Sequence, residues 1–158
     1  MLFLLFQVGQ DRYALEASRV VEIVPFLEIK PLSHAPHGVA GIFNYRGRPV
    51  PAVDLAALAL GRPAQELLST RIIIINYPDD AGTNHLLGLI AEHATGMLRK
   101  EPRDFIDPGL KRGVSPHLGP MLMDVSGPVQ WVQGERWLPQ GVSKRLFSEL
   151  AAAGHPMN

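Results

Sequence analysis

His34 and His37 are the first residues of this chain whose type and spacing suit chemistry. Two imidazoles three positions apart can share a divalent cation, with His85 or His93 as a further ligand. Pro36 stands between them and breaks any helix that would carry both rings on one face, so solvated loop histidines are the plain alternative. Asp54 with Glu22 would make an acid/base pair. No nucleophile accompanies it, however, and Asp54 stands where a helix starting at Leu55 needs an N-cap. The chain holds no Gly-x-Ser-x-Gly elbow, no glycine-rich phosphate loop and no His-Glu-x-x-His pair. It also has no cysteine, which removes disulfides, thiolate chemistry and zinc ribbons. The chemical reading that survives is a small ligand- or metal-binding barrel using His34, His37 and Asp54.

A different kind of signal lies in residues 41–55, Gly-Ile-Phe-Asn-Tyr-Arg-Gly-Arg-Pro-Val-Pro-Ala-Val-Asp-Leu. Ile42, Phe43 and Tyr45 before the corner, and Val50, Ala52 and Val53 after it, suit two paired strands. Gly47 takes the positive φ that a tight connection needs, Arg46 presents a planar fork of donors, and Asn44 is placed to satisfy backbone groups at the corner. Pro49 and Pro51 lack a backbone donor, which puts one side of the returning strand at a sheet margin. The pattern is a hairpin that offers a cation to a partner.

The elements that must position these residues are mostly strands. Residues 1–8 and 12–15, separated by Gly9-Gln10-Asp11, read as a hairpin. Ser18 reads as the N-cap of a brief helix through Val20, Val21, Glu22 and Ile23, stopped by Pro25. Residues 26–37 read as extended loop, 55–60 as a short helix ending at Gly61, and 62–69 as a polar connector. Four consecutive isoleucines in 71–77 indicate a strand covered on both faces, with a turn at 78–82. Residues 85–90 and 91–98 supply two further strands, and 99–120 an irregular connection. Residues 121–123 and 129–132 close the set as a pair around Gly127-Pro128. Ser143 caps a final helix over 144–152 with Leu146, Phe147 and Leu150 on one face. Trp131 and Trp137 read as core residues, with interface anchoring as the alternative. Eight to ten short strands with few helices predict an all-β architecture.

Composition limits the partners. The 158 residues suit one compact domain or two very small, intimately packed ones, and 15 basic residues balance 15 acidic ones. The short clusters Arg99-Lys100 and Lys111-Arg112 are interrupted by acids, which speaks against nucleic acid as a partner. Met1–Phe6 lacks a basic leader and a small-residue cleavage site, and no apolar run approaches the ~20 residues that span a bilayer. A cytoplasmic protein without membrane insertion is expected.

The corner Asn44-Tyr45-Arg46-Gly47, followed by Val50, Pro51, Val53, Asp54 and Leu55, resembles the CheW-like coupling proteins of bacterial chemosensory systems. Flanking matches run from Phe3-Leu4-Leu5-Phe6 through Gly9 and Tyr13-Ala14-Leu15 to Leu87-Gly88-Leu89-Ile90 and Gly96-Met97-Leu98. The resemblance implies two intimately packed five-stranded Src-homology-3-like barrels with a groove between them and a C-terminal helix. It implies a single domain over 1–153, with the changeover between barrels near 67–74 and a flexible tail at 154–158. It further implies a non-enzymatic adaptor, without cofactor, that joins the cytoplasmic tip of a chemoreceptor of the methyl-accepting type to the regulatory domain of a CheA-like histidine kinase. Such an adaptor is recruited to membrane receptor clusters through its partners. The partner-binding residues implied are Val20, Glu22, Asn44, Arg46 and Gly47. An exposed Glu22–Arg46 ion pair would be worth only about 0–1 kcal/mol, so its value would lie in orienting the surface. Tyr45 departs from the family, which more often has an aliphatic residue there, and the proline-rich stretch 102–128 is unusual.

Overall fold

The structure is a computed structural model that describes residues 1–79, 81–107, 118–132 and 146–148. Among the described residues ten strands follow in chain order: β1 (Leu2–Val8), β2 (Asp11–Glu16), β3 (Val20–Pro25), β4 (Val39–Tyr45), β5 (Arg48–Asp54), β6 (Arg71–Pro78), β7 (Asn84–Ala91), β8 (His93–Arg99), β9 (Leu118–Asp124) and β10 (Gly127–Val132). One short helix, α1 (Leu55–Leu60), follows β5, and 3-10 turns lie at Ala17–Arg19 and Pro102–Asp104.

The strands form two sheets of five, ordered β8-β1-β2-β10-β9 and β3-β6-β7-β5-β4. Both sheets use one pattern. Each contains a central antiparallel hairpin (β1–β2, β6–β7), a parallel pair (β2–β10, β7–β5), an outer hairpin (β10–β9, β5–β4) and an antiparallel edge strand (β8, β3). Each is also closed by a single bridge from the segment that follows its edge strand. Lys30 exchanges two backbone hydrogen bonds with Ile42 of β4, at 2.8 and 2.9 Å, and Ile106 does the same with Met121 of β9, both at 2.7 Å.

Three apolar clusters follow from strand alternation. Ile72 and Ile74 of β6 point into the second sheet's own interior with Phe43, Tyr45, Val50, Ala52 and Ile90. Phe3, Ala14, Phe105, Leu122, Val129 and Trp131 fill the first sheet's interior. The opposite set, Leu4, Phe6, Val8 and Leu15 of the first sheet and Ile73, Ile75, Leu87 and Leu89 of the second, meets in a seam shared by both. The isoleucine run of β6 therefore serves two cores at once. Leu146 and Phe147, in helical conformation, join the seam, where the Phe147 ring stacks on His85 with centroids 4.0 Å apart.

Several expectations hold. The 41–55 hairpin, the short helix after Asp54 and the isoleucine strand lie where the residues put them. Pro49 and Pro51 sit in the half of β5 that pairs only with β4, since the parallel pairing with β7 begins at Ala52. Trp131 is core, its ring packed against Phe3 and Phe105.

Three expectations are corrected. Residues 20–23 are strand, not helix: Val20, Val21, Ile23 and Val24 are β-branched, lose rotamer freedom in a helix and pair readily with β6, while Ser18 makes no capping hydrogen bond. The chain does not change sheets near 67–74, because β5 and β6 belong to the same sheet. It crosses at Ala17–Arg19 and returns between β7 and β8, so β1 and β2 complete a sheet whose other strands come from the far end of the chain. The last hairpin turns at Val125-Ser126, with Gly127 and Pro128 already inside β10. Residues 144–145, Leu150, Trp137 and the tail at 154–158 lie outside the described residues.

Candidate functional site

The β4–β5 corner is a two-residue loop, with Tyr45 paired to Arg48 and with Arg46 and Gly47 both at positive φ, 50° and 81°. That is the twist-compatible geometry of a tight hairpin, in which asparagine or glycine is favoured at the position Arg46 occupies. The Asn44 side-chain oxygen accepts from the Gly47 N–H at 2.8 Å and braces the turn. An arginine in left-handed backbone costs roughly 1 kcal/mol. The side chain, not the backbone, explains its presence.

Glu22 comes to this corner from β3. It pairs with Ile74, which directs its side chain to the interior face of the sheet at the open end of the barrel. There the Tyr45 hydroxyl donates a hydrogen bond to Glu22 Oε2. Arg46 Nη2 lies 3.4 Å from both Glu22 oxygens, and its guanidinium carbon lies 5.3 Å from the Tyr45 ring centroid. The ring is buried, while the Arg46 side chain is 73% exposed and that of Glu22 36%. The carboxylate bond raises the Tyr45 phenol above its ordinary value, because losing the proton would set two anions side by side; partial desolvation adds to this and Arg46 opposes it.

The structure thus brings Glu22, Asn44, Arg46 and Gly47 together and adds Tyr45, which residue reading left out of the site. Val20 stands apart: it is half-buried and packs against the seam. The bulge between Val20 and Glu22 leaves Val21 unpaired, and Val21 and Ile23 remain 43% and 39% exposed. The edge strand of the other sheet, β8, touches β6, the neighbour of β3. Met97 on β8 and Leu2 on β1 are also exposed.

The chemical alternative assembles only in part: His37 and Asp54 line one open pocket beside α1, and His34 is not in its lining. Asp54 Oδ1 accepts from the N–H groups of Ala56 and Ala57 at 3.0 and 3.2 Å, and Oδ2 from that of Ala64 at 2.8 Å. It caps α1 and ties down the connector, which commits both of its oxygens to backbone N–H groups. Glu22 is committed to Tyr45 and Arg46 rather than to Asp54. His34 and His37 are exposed, and His85 Nε2 lies 2.7 Å from Asp79 Oδ2, a contact that holds the Asp79 carboxyl below its usual range. Among the described residues no three ligating side chains gather around a point.

Fold and site define a two-barrel β module with a charged rim at the β4–β5 hairpin. The chain belongs to the CheW-like domain family, which matches residues 2–136. It is 30% identical over 99 residues to Chemotaxis protein CheW of Rhizobium meliloti (strain 1021), covering 63% of this chain and 61% of that protein. It is 28% identical over 107 residues to Chemotaxis protein CheW of Helicobacter pylori (strain ATCC 700392 / 26695), covering 67% and 61%. The aligned part thus spans about 61% of the length of these relatives. The solved structure of the scaffolding protein TtCheW from Thermoanaerobacter tengcongensis shares the fold, with a TM-score of 0.72 at 19% identity over 84% of this chain and 83% of that one.

Proposed function

We propose that this chain is a non-enzymatic adaptor that couples a chemoreceptor-type sensor to a CheA-like histidine kinase, acting by holding the two in fixed geometry. The observation that carries the reading is the rim itself: Arg46 accepts strained backbone at the apex of a hairpin only to stand exposed beside Glu22. Val21 and Ile23, exposed on the same strand as Glu22, suit the apolar face of a helical hairpin, the shape a sensor's cytoplasmic tip would offer. Glu22, Asn44, Arg46 and Gly47 form the polar flank of that contact, and Val20 supports β3 from the seam. The kinase's regulatory domain would dock elsewhere on the barrels. Among the described residues no helix is long and apolar enough to cross a membrane. A cytoplasmic protein drawn to receptor clusters through its partners fits this reading, and the balanced charge offers no footprint for nucleic acid.

The test is calorimetric titration of the helical-hairpin tip of a sensor from the same genome into the wild-type chain and into Arg46→Glu. Arg46 is exposed, so the variant keeps its melting temperature within a few degrees. Its affinity is expected to fall at least about tenfold, or 1.4 kcal/mol. Equal binding by the two proteins, or no binding of the wild type to any such tip, overturns the proposal.

A further inference from the structure

We infer that Tyr45 is a positioning residue that holds the Glu22 carboxylate away from Arg46, and that the freed guanidinium is set to receive a carboxylate on the docking partner. The inference deepens the adaptor reading and rests on it.

The argument begins with what each group can do. A glutamate carboxylate facing an arginine ordinarily takes two parallel N–H···O bonds near 2.7–2.9 Å. Here both contacts are 3.4 Å, and both come from the single nitrogen Nη2. The pair has not closed because Oε2 is already held by the Tyr45 hydroxyl. That hydroxyl cannot follow the carboxylate, since its ring is fixed in the sheet interior with Phe43, Val50 and Ile74. The same ring lies under the guanidinium at 5.3 Å and gives it a flat support that uses none of its donors. Among the described residues only Nη2 of Arg46 has a partner, which leaves most of the fork turned to solvent.

The sign of the missing partner follows from local charge. Arg46 and Arg48 both stand exposed at the corner, Glu22 supplies the anion beside them, and Tyr45 is neutral. The rim carries an excess of positive charge in reach of a docking helix, and a planar fork fits a planar carboxylate. An aliphatic residue at position 45 would leave Glu22 free to close on Arg46. The tyrosine therefore changes what this rim presents without altering the turn that carries it.

Tyr45→Phe isolates the claim, because it keeps the ring, its packing and its place under the guanidinium and removes one oxygen. The variant should fold and melt within a few degrees of the wild type, yet bind the sensor tip about tenfold more weakly. Adding Glu22→Gln to Tyr45→Phe removes the competing charge and should restore most of the loss. A readout independent of any partner is the alkaline tyrosinate absorbance that disappears in Tyr45→Phe: it should titrate above the ordinary phenol range in the wild type and return toward it in Glu22→Gln. Ordinary titration, together with equal binding by wild type and Tyr45→Phe, overturns the inference. Failure of the wild type to bind any sensor tip while the elevated titration persists overturns the adaptor reading instead and leaves the lock between Tyr45 and Glu22 standing.

Discussion

Truncating Ile73 to alanine is expected to lower the stability of the whole chain by about 3–4 kcal/mol, near the upper part of the range for large-to-small changes in a packed core. Ile73 is fully buried and faces the seam, where Leu4, Phe6 and Leu15 of the first sheet meet Leu87 and Leu89 of the second. The lost methylene and methyl groups leave a cavity walled by side chains from both sheets, which β pairing holds in place and which cannot collapse into it. The connectivity predicts more than the size of the effect. Because β1 and β2 complete a sheet whose remaining strands lie beyond residue 92, that sheet cannot form from one contiguous half of the chain, and the second sheet, built from residues 20–91, shares its seam face with it. Urea unfolding followed by far-ultraviolet circular dichroism and by tryptophan fluorescence should therefore show coincident single transitions in wild type and variant, shifted together. Two separated transitions, with Ile73→Ala moving only one, would contradict a shared seam.

Gly41→Ala should be nearly as damaging, for a different reason. Gly41 has φ near +149°, and a Cβ there would come within 2.1 Å of the Lys30 carbonyl oxygen. That oxygen accepts the Ile42 N–H in the bridge that closes the second sheet, so the obstacle is backbone and cannot rotate away. Strained backbone and overpacking each cost on the order of 1–3 kcal/mol, and a loss of about 3 kcal/mol is expected. For a chain of this size that corresponds to a fall in melting temperature of about 6–12 °C. Hydrogen exchange should localise the loosening to Lys30 and Ile42 first. An unchanged melting temperature would show that the bridge does not close the barrel.

What could be read from the sequence was what is local. Asn44-Tyr45-Arg46-Gly47 announces its turn within four residues, Asp54 its cap within three, and the isoleucine run of β6 its double burial, because in each case the partners are near in the chain or the pattern is periodic. The misreading of β3 shows the limit of local signals. Ser18 and Pro25 bracket a stretch that looks like a helix, and only pairing with β6, some fifty residues away, makes β-branched residues the better fit to a strand. Sheet membership was hidden for the same reason, since nothing in β1 or β2 indicates that their neighbours are β8 and β10. The Tyr45–Glu22 bond joins residues 23 apart, and no spacing rule links a hairpin tyrosine to a glutamate on another strand. Tyr45 was legible as a departure from the family but not as part of the site.

The most direct test of the account is whether the three components assemble. Size-exclusion chromatography with light scattering should be run on the wild-type chain, the sensor's helical tip and the kinase's regulatory domain, together and in pairs. The account predicts a complex containing all three that forms only when this chain is present, and its loss of the sensor tip, but not of the kinase domain, with Arg46→Glu. Binding of one partner to the exclusion of the other, or loss of both with Arg46→Glu, would contradict an adaptor that presents separate surfaces to each.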